Sequence, residues 1–188
     1  MMTASLLRSI ASRSLPVLAI LALSTAASAE SFWTHPAIKG YGPVHVWPHD
    51  ALMPDKTTVY KAVFDVTKPS KAPDKVSGAL DHVARAVNAF AAAGVPTDHL
   101  KYVIILHGPA TFGILSEAAY QRKFHVSNPN LKLIEALHKA GVEIYVCGNA
   151  LADLKFTPKD VDSHVKVALS ALSTLIILQD KGYALISM

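Results

Sequence analysis

Three residues in this chain have side chains suited to nucleophilic attack or proton transfer: Cys147, His107 and Asp65. Cys147 is the single cysteine among 188 residues. A thiolate is a strong nucleophile, and helix N-terminal amides or a nearby cation favour it over the thiol. An imidazole is the side chain that changes charge near neutral pH, so His107 suits stabilising a thiolate or carrying its proton. Each of the three stands at or near the end of a short apolar run: Asp65 near the end of 57–66, His107 closing 101–107, Cys147 closing 142–147. These runs are too short and too rich in β-branched residues for helices, and they read as buried strands. In a parallel sheet all carboxyl ends lie on one edge, where ligands collect. His107 and Cys147 therefore share that edge whatever the strand order. The expectation is a thiol exposed at the sheet's rim beside an imidazole. Two plainer readings stand next to it: Cys147 packing as a small buried hydrophobe, and His107 bonding the turn at Gly108-Pro109.

The rest of the chain must supply helices that turn these strands parallel. After a polar loop with two prolines, Asp74 is expected to cap a helix carrying Val76, Leu80, Val83, Val87 and Phe90 on one face. Its polar face holds Lys75, Asp81, His82, Arg85 and Asn88, and Gly94 with Pro96 ends it. A short helix is predicted over 116–124. A second follows the Asn128-Pro129-Asn130 turn and cap and stops at Gly141. Beyond Cys147, Gly148-Asn149 breaks the strand. A fourth strand over 165–169, a helix over 170–181 and a last strand over 183–187 complete the alternation. The pattern predicts a three-layer α/β domain over 57–188 with a mostly parallel five-stranded sheet.

Two segments precede that domain. Residues 1–29 have Arg8 and Arg13, no acid, an apolar core over 15–23 and the small-x-small Ala27-Ser28-Ala29, the pattern of a cleavable secretory signal. Export to a periplasm is the expectation, with no membrane attachment after cleavage. The apolar core is too short to span a bilayer. Residues 30–56 are punctuated by Pro, Gly, His and Trp and read as an extended arm lying on the domain or on a neighbouring subunit. Net charge is +4, and loss of Arg8 and Arg13 lowers it to +2, too little to argue for nucleic acid. One cysteine cannot form an intrachain disulfide or a Cys-x-x-Cys exchange pair. Gly108-Pro109-Ala110-Thr111 with Gly113 could wrap an anion through its amides, but it is neither a Walker loop nor a dinucleotide fingerprint, so no cofactor is assigned. No Gly-x-Ser-x-Gly elbow occurs. His35, His45 and His49 cluster in the arm without a zinc-like spacing, so no metal site is assigned. A copper-binding module built from Cys, His and Met remains the alternative to sulfur chemistry.

The block 60–188 resembles the DsrE/DsrF-like proteins of sulfur metabolism. The resemblance is carried by Val-Ile-Ile-Leu-His-Gly-Pro-Ala at 103–110, Asn-Pro-Asn-Leu at 128–131, Gly-Val-Glu-Ile-Tyr-Val-Cys-Gly at 141–148 and Leu-Gln-Asp-Lys-Gly-Tyr-Ala at 178–184. It implies a flavodoxin-like fold assembled as a trimer or hexamer. It also implies a sulfur-relay role, with sulfur held as a persulfide on the matching cysteine, Cys147, and exchanged with a donor or acceptor protein. Relatives in tRNA thiolation work in the cytoplasm. The export signal here points instead to periplasmic sulfur compounds. The alternative is a non-catalytic oligomeric module binding a small ligand or copper.

Overall fold

The computed structural model describes residues 32–188; the predicted signal peptide and the first two residues of the arm lie outside them. The five strands are β1 (Tyr60–Val66), β2 (Leu100–Leu106), β3 (Glu143–Cys147), β4 (Val165–Ala168) and β5 (Ala184–Ser187). Between them run α1 (Gly78–Ala92), α2 (Glu117–Phe124), α3 (Leu131–Lys139), α4 (Gly148–Asp153) and α5 (Ala171–Asp180). The sheet order is β4-β3-β2-β1-β5, and every pairing is parallel, so the expected mostly parallel sheet is wholly so.

Alternation along the strands splits the core in two. Phe64, Val66, Ile104, Leu106, Ile144 and Val146 pack against α1 and α3 in the larger cluster. Val63, Val103, Ile105 and Cys147 point to the other face, where Ala171 and Leu175 of α5 cover them. Strand order reverses between β1 and β5: the chain steps outward from β1 to β4, then α5 carries it back to the far side of β1.

Two local expectations are corrected. The cap of α1 is Ser77, whose hydroxyl accepts from the Leu80 amide at 3.4 Å, and not Asp74. Ser77 is held in place because its own amide donates to the Asn130 carboxamide at 2.7 Å, while Asp74 forms an exposed pair with Lys75. Asn130 thus spends its side chain across the fold and makes no side-chain cap for α3. Asn88, read as part of the polar face of α1, is wholly buried. Its oxygen accepts from the amides of Ala37 and Ile38, and its nitrogen donates to the carbonyls of Ile38, Tyr41 and Gly42. This one side chain satisfies the backbone of an arm that has no ladder of its own beyond the Thr34–Val44 bridge. The arm therefore lies on its own domain. Gly42 comes so close to α1 that a Cβ there would meet the Arg85 amide nitrogen at 2.1 Å.

Candidate functional site

Cys147 is the last residue of β3 and the N-cap of α4. Its sulfur accepts a hydrogen bond from the Ala150 amide at 3.4 Å. The turn after it needs Gly148: a Cβ there would stand 2.8 Å from the Ala168 carbonyl oxygen of β4, which pairs in register with Cys147. Strand and turn thus place the sulfur at the carboxyl edge, as read from the sequence. Exposure is the part that differs. Cys147 is only 6% exposed, among Val63, Val103, Ile105 and Ala171, with Ala150, Ala168 and Leu175 alongside. The thiol shares this cluster with Ala171 and Leu175 of α5, a helix that packs chiefly on β1, β2 and β5. Sequence periodicity gave no sign that this helix would join the cluster that holds the thiol.

His107 follows β2, and its amide continues the ladder to the Val66 carbonyl at 3.1 Å. The register Leu106↔Val146 brings the backbones of His107 and Cys147 side by side at the ends of adjacent strands. The ring turns the other way: Nε2 lies 2.8 Å from Oδ1 of Asp65 on β1, and no hydrogen bond joins His107 to Cys147. Asp65 and His107 are both partly exposed. With Nε2–H donating to the carboxylate, Nδ1 of a neutral ring is left as an acceptor. The structure therefore unites Asp65 with His107 and sets Cys147 one strand away, buried in the cluster that α5 helps to form.

The Gly108–Ile114 segment does not form an open anion loop. It folds into 3-10 turns packed on β3 and α4, with Ala110, Thr111 and Ile114 buried. Thr111 keeps a buried hydroxyl that makes no hydrogen bond. The arm histidines serve local structure: His35 bonds the Tyr41 carbonyl at 2.7 Å, and His45 bonds that of Phe32 at 2.5 Å. His45 also stacks on Phe32, 3.8 Å between ring centroids. Among the described residues no group of three or more His, Cys, Asp or Glu is arranged to hold a metal ion. None of their helices is long and apolar enough to cross a membrane. Tyr145 and Glu143 lie further back along β3, on the same face of the strand as Cys147. Glu143 is held below the usual carboxylate range by the Tyr145 hydroxyl, with Lys166 assisting, and burial pushes the Tyr145 phenol up.

The model of the DsrE/DsrF-like family matches residues 61–188, which takes in all five strands but for Tyr60, and the helices between them. Among solved structures, the chain is similar to the protein of unknown function MTH1491 from Methanobacterium thermoautotrophicum. Identity is 17% and the TM-score 0.51, covering 69% of this chain and 99% of that one. It is also similar to the ychN protein from E. coli, at 15% identity and a TM-score of 0.50, again covering 69% and 99%. At these identities the likeness establishes the fold. No curated protein matches the chain.

Proposed function

The chain is a member of the DsrE/DsrF-like family, and from that premise we propose that it is an exported sulfur-relay protein that carries sulfane sulfur as a persulfide on Cys147. Family membership supports a sulfur-relay role in general. The observation that carries the specific reading is the position of the only thiol: at the carboxyl edge of a parallel sheet, with an amide hydrogen bonded to its sulfur. Exchange of sulfane sulfur needs a cysteine sulfur that can attack and then leave, and this is the one the chain has.

The chemistry balances without a cofactor. The Cys147 proton goes to solvent, and the thiolate attacks the outer sulfur of a sulfane donor such as thiosulfate. A Cys147 S–S bond forms as the donor's S–S bond breaks, and sulfite leaves with the electron pair. The terminal sulfur of the protonated persulfide is then attacked by an acceptor thiolate, and Cys147 leaves as thiolate. His107, oriented by Asp65 and closing the strand beside β3, relays the Cys147 proton to solvent once the thiol is uncovered. Because Cys147 is buried, access requires the first turn of α5 to open, a local event of the kind that low-stability segments undergo. The working form is a homo-oligomer, a trimer or hexamer, acting in the periplasm.

Intact-mass measurement tests the reading. Treatment with thiosulfate or polysulfide should add the mass of about one sulfur atom (~32 Da), and reductant should remove it. Cys147→Ser should take up none. A Cys147→Ser protein that still gains sulfur, or a wild-type chain inert under all donors, sinks the proposal. Inertness would favour the alternative of a non-catalytic oligomeric binding module, with the thiol as core packing.

A further inference from the structure

A second site lies on the opposite face of the sheet, away from Cys147. The carboxyl ends of β1 and β5 are where the strand order reverses. In open α/β sheets a crevice opens at such a point, and ligands occupy it. Here it is a cavity of about 870 Å3 walled by the loop after β1, the start of α1, the arm at Gly40 and Tyr41, and Ser187 with Met188 after β5. Three lysines of that loop, Lys68, Lys71 and Lys75, line it together with His82. The one acidic side chain in its wall is Asp81, and one of its oxygens accepts from the Gly42 amide at 2.8 Å, while the main-chain oxygen of Met188, also in the wall, accepts from the Thr67 amide and hydroxyl at 3.4 and 3.2 Å. Lys75 has a partner in Asp74, which lies outside the cavity wall, and both are largely exposed. Lys68 and Lys71 make no ion pair with any described residue.

The backbone adds to this charge. The 15-residue α1 begins in the cavity wall with Gly78 and Ala79, and the first-turn amides of a helix of that length carry partial positive charge. A Cβ built on Gly78 would meet nothing within 4 Å, so a ligand can approach the backbone there. Concave shape, three lysines and an approachable helix start converge at the place where this sheet class binds ligands.

We infer that this crevice binds a tetrahedral oxyanion, free or carried on a small organic molecule, with Lys68 and Lys71 as its principal charged partners. The inference does not rest on persulfide chemistry at Cys147. Phosphate and thiosulfate share the recognised geometry and charge. Lysine meets such groups as a mobile point charge, while the amides supply direction.

Titration calorimetry on the Cys147→Ser protein separates this site from the thiol, since thiosulfate cannot react there. Inorganic phosphate and thiosulfate are titrated at constant ionic strength, with chloride as the reference. Saturable binding of one oxyanion per chain is expected, weakened at least tenfold in Lys68→Gln/Lys71→Gln. Binding of phosphate and thiosulfate alike identifies a general oxyanion site; binding of thiosulfate alone identifies a sulfur-oxyanion site, and either supports the inference. The variant should melt within a few degrees of its parent, because both lysines are exposed. Heats that never saturate, or that are the same in the double variant, overturn the inference. A Gly78→Leu variant gives an independent arm: its side chain enters the open space before α1 and should also abolish binding. Loss of sulfur loading in wild type with oxyanion binding intact would leave this inference standing and remove only the persulfide reading.

Discussion

Asp65 decides what His107 can do. A carboxylate 2.8 Å from Nε2 fixes the ring's orientation and favours the tautomer that leaves Nδ1 open. Replacing Asp65 with Asn keeps the shape and removes the charge, and the amide is free to present its nitrogen to the ring. The expected result is sulfur loading that still reaches completion but about tenfold more slowly, equivalent to roughly 1.4 kcal/mol in the barrier. Loading is timed by quenching samples for intact mass. An unchanged rate would remove His107 from the mechanism and return it to the role of holding the ends of β1 and β2 together. Asn88 shows a different side of the residue scale. A lone polar residue at a helical position with no visible partner reads as surface, yet here it makes five hydrogen bonds to the arm. Nothing local in the sequence separates those cases, because the partners are some fifty positions away.

At the scale of elements, much was legible for a definite reason. The strands β1, β2 and β3 are apolar, β-branched runs with Gly or Pro close by, so period and punctuation agree, and Cys147 and His107 stand at or just past the ends of their strands, as read. Strand order, and the packing of α5 into the cluster that holds the thiol, come from crossovers that carry no local signature. The shielding of Cys147 is the main thing the sequence left hidden. It is testable through the cap of α5, where the Ser170 hydroxyl accepts from the Ser173 amide at 3.0 Å. Loss of an N-cap costs about 1 kcal/mol, and that cost falls on the turn that brings Ala171 into the thiol's cluster. Ser170→Ala should therefore raise the labelling rate of Cys147 by a thiol reagent about fivefold, with the global melting temperature little changed. Equal rates in both proteins would mean that the thiol is reached by another route, and that α5 is no gate.

The whole molecule presents an apolar surface that one chain does not cover. Helix α5 is apolar on nearly every side: Leu175 and Leu178 turn inward, while Leu172 is 75% and Ile176 67% exposed. A helix with apolar residues all round is normally buried on both sides. Beside it, all four residues of the edge strand β5 are exposed, Leu185 and Ile186 among them, and no proline or charge blunts that edge. Contiguous apolar surface of this kind marks an interface, and an uncapped edge strand invites pairing. A second copy of the chain is the partner the proposed homo-oligomer would place there, and stable interfaces bury about 800 Å2 on each side. Covering α5 in this way would also restrain the turn that brings Ala171 into the thiol's cluster, tying assembly to access. Light scattering behind size-exclusion chromatography should give a trimer or hexamer for the wild-type chain at micromolar concentration. Leu172→Lys and Ile176→Lys each place an ammonium group in the apolar contact, and together they should yield a monomer that stays folded by circular dichroism. The monomer should label at Cys147 faster than the assembly does. A wild-type chain that runs as a monomer, or a double variant that assembles unchanged, would show that α5 is not the face through which copies meet.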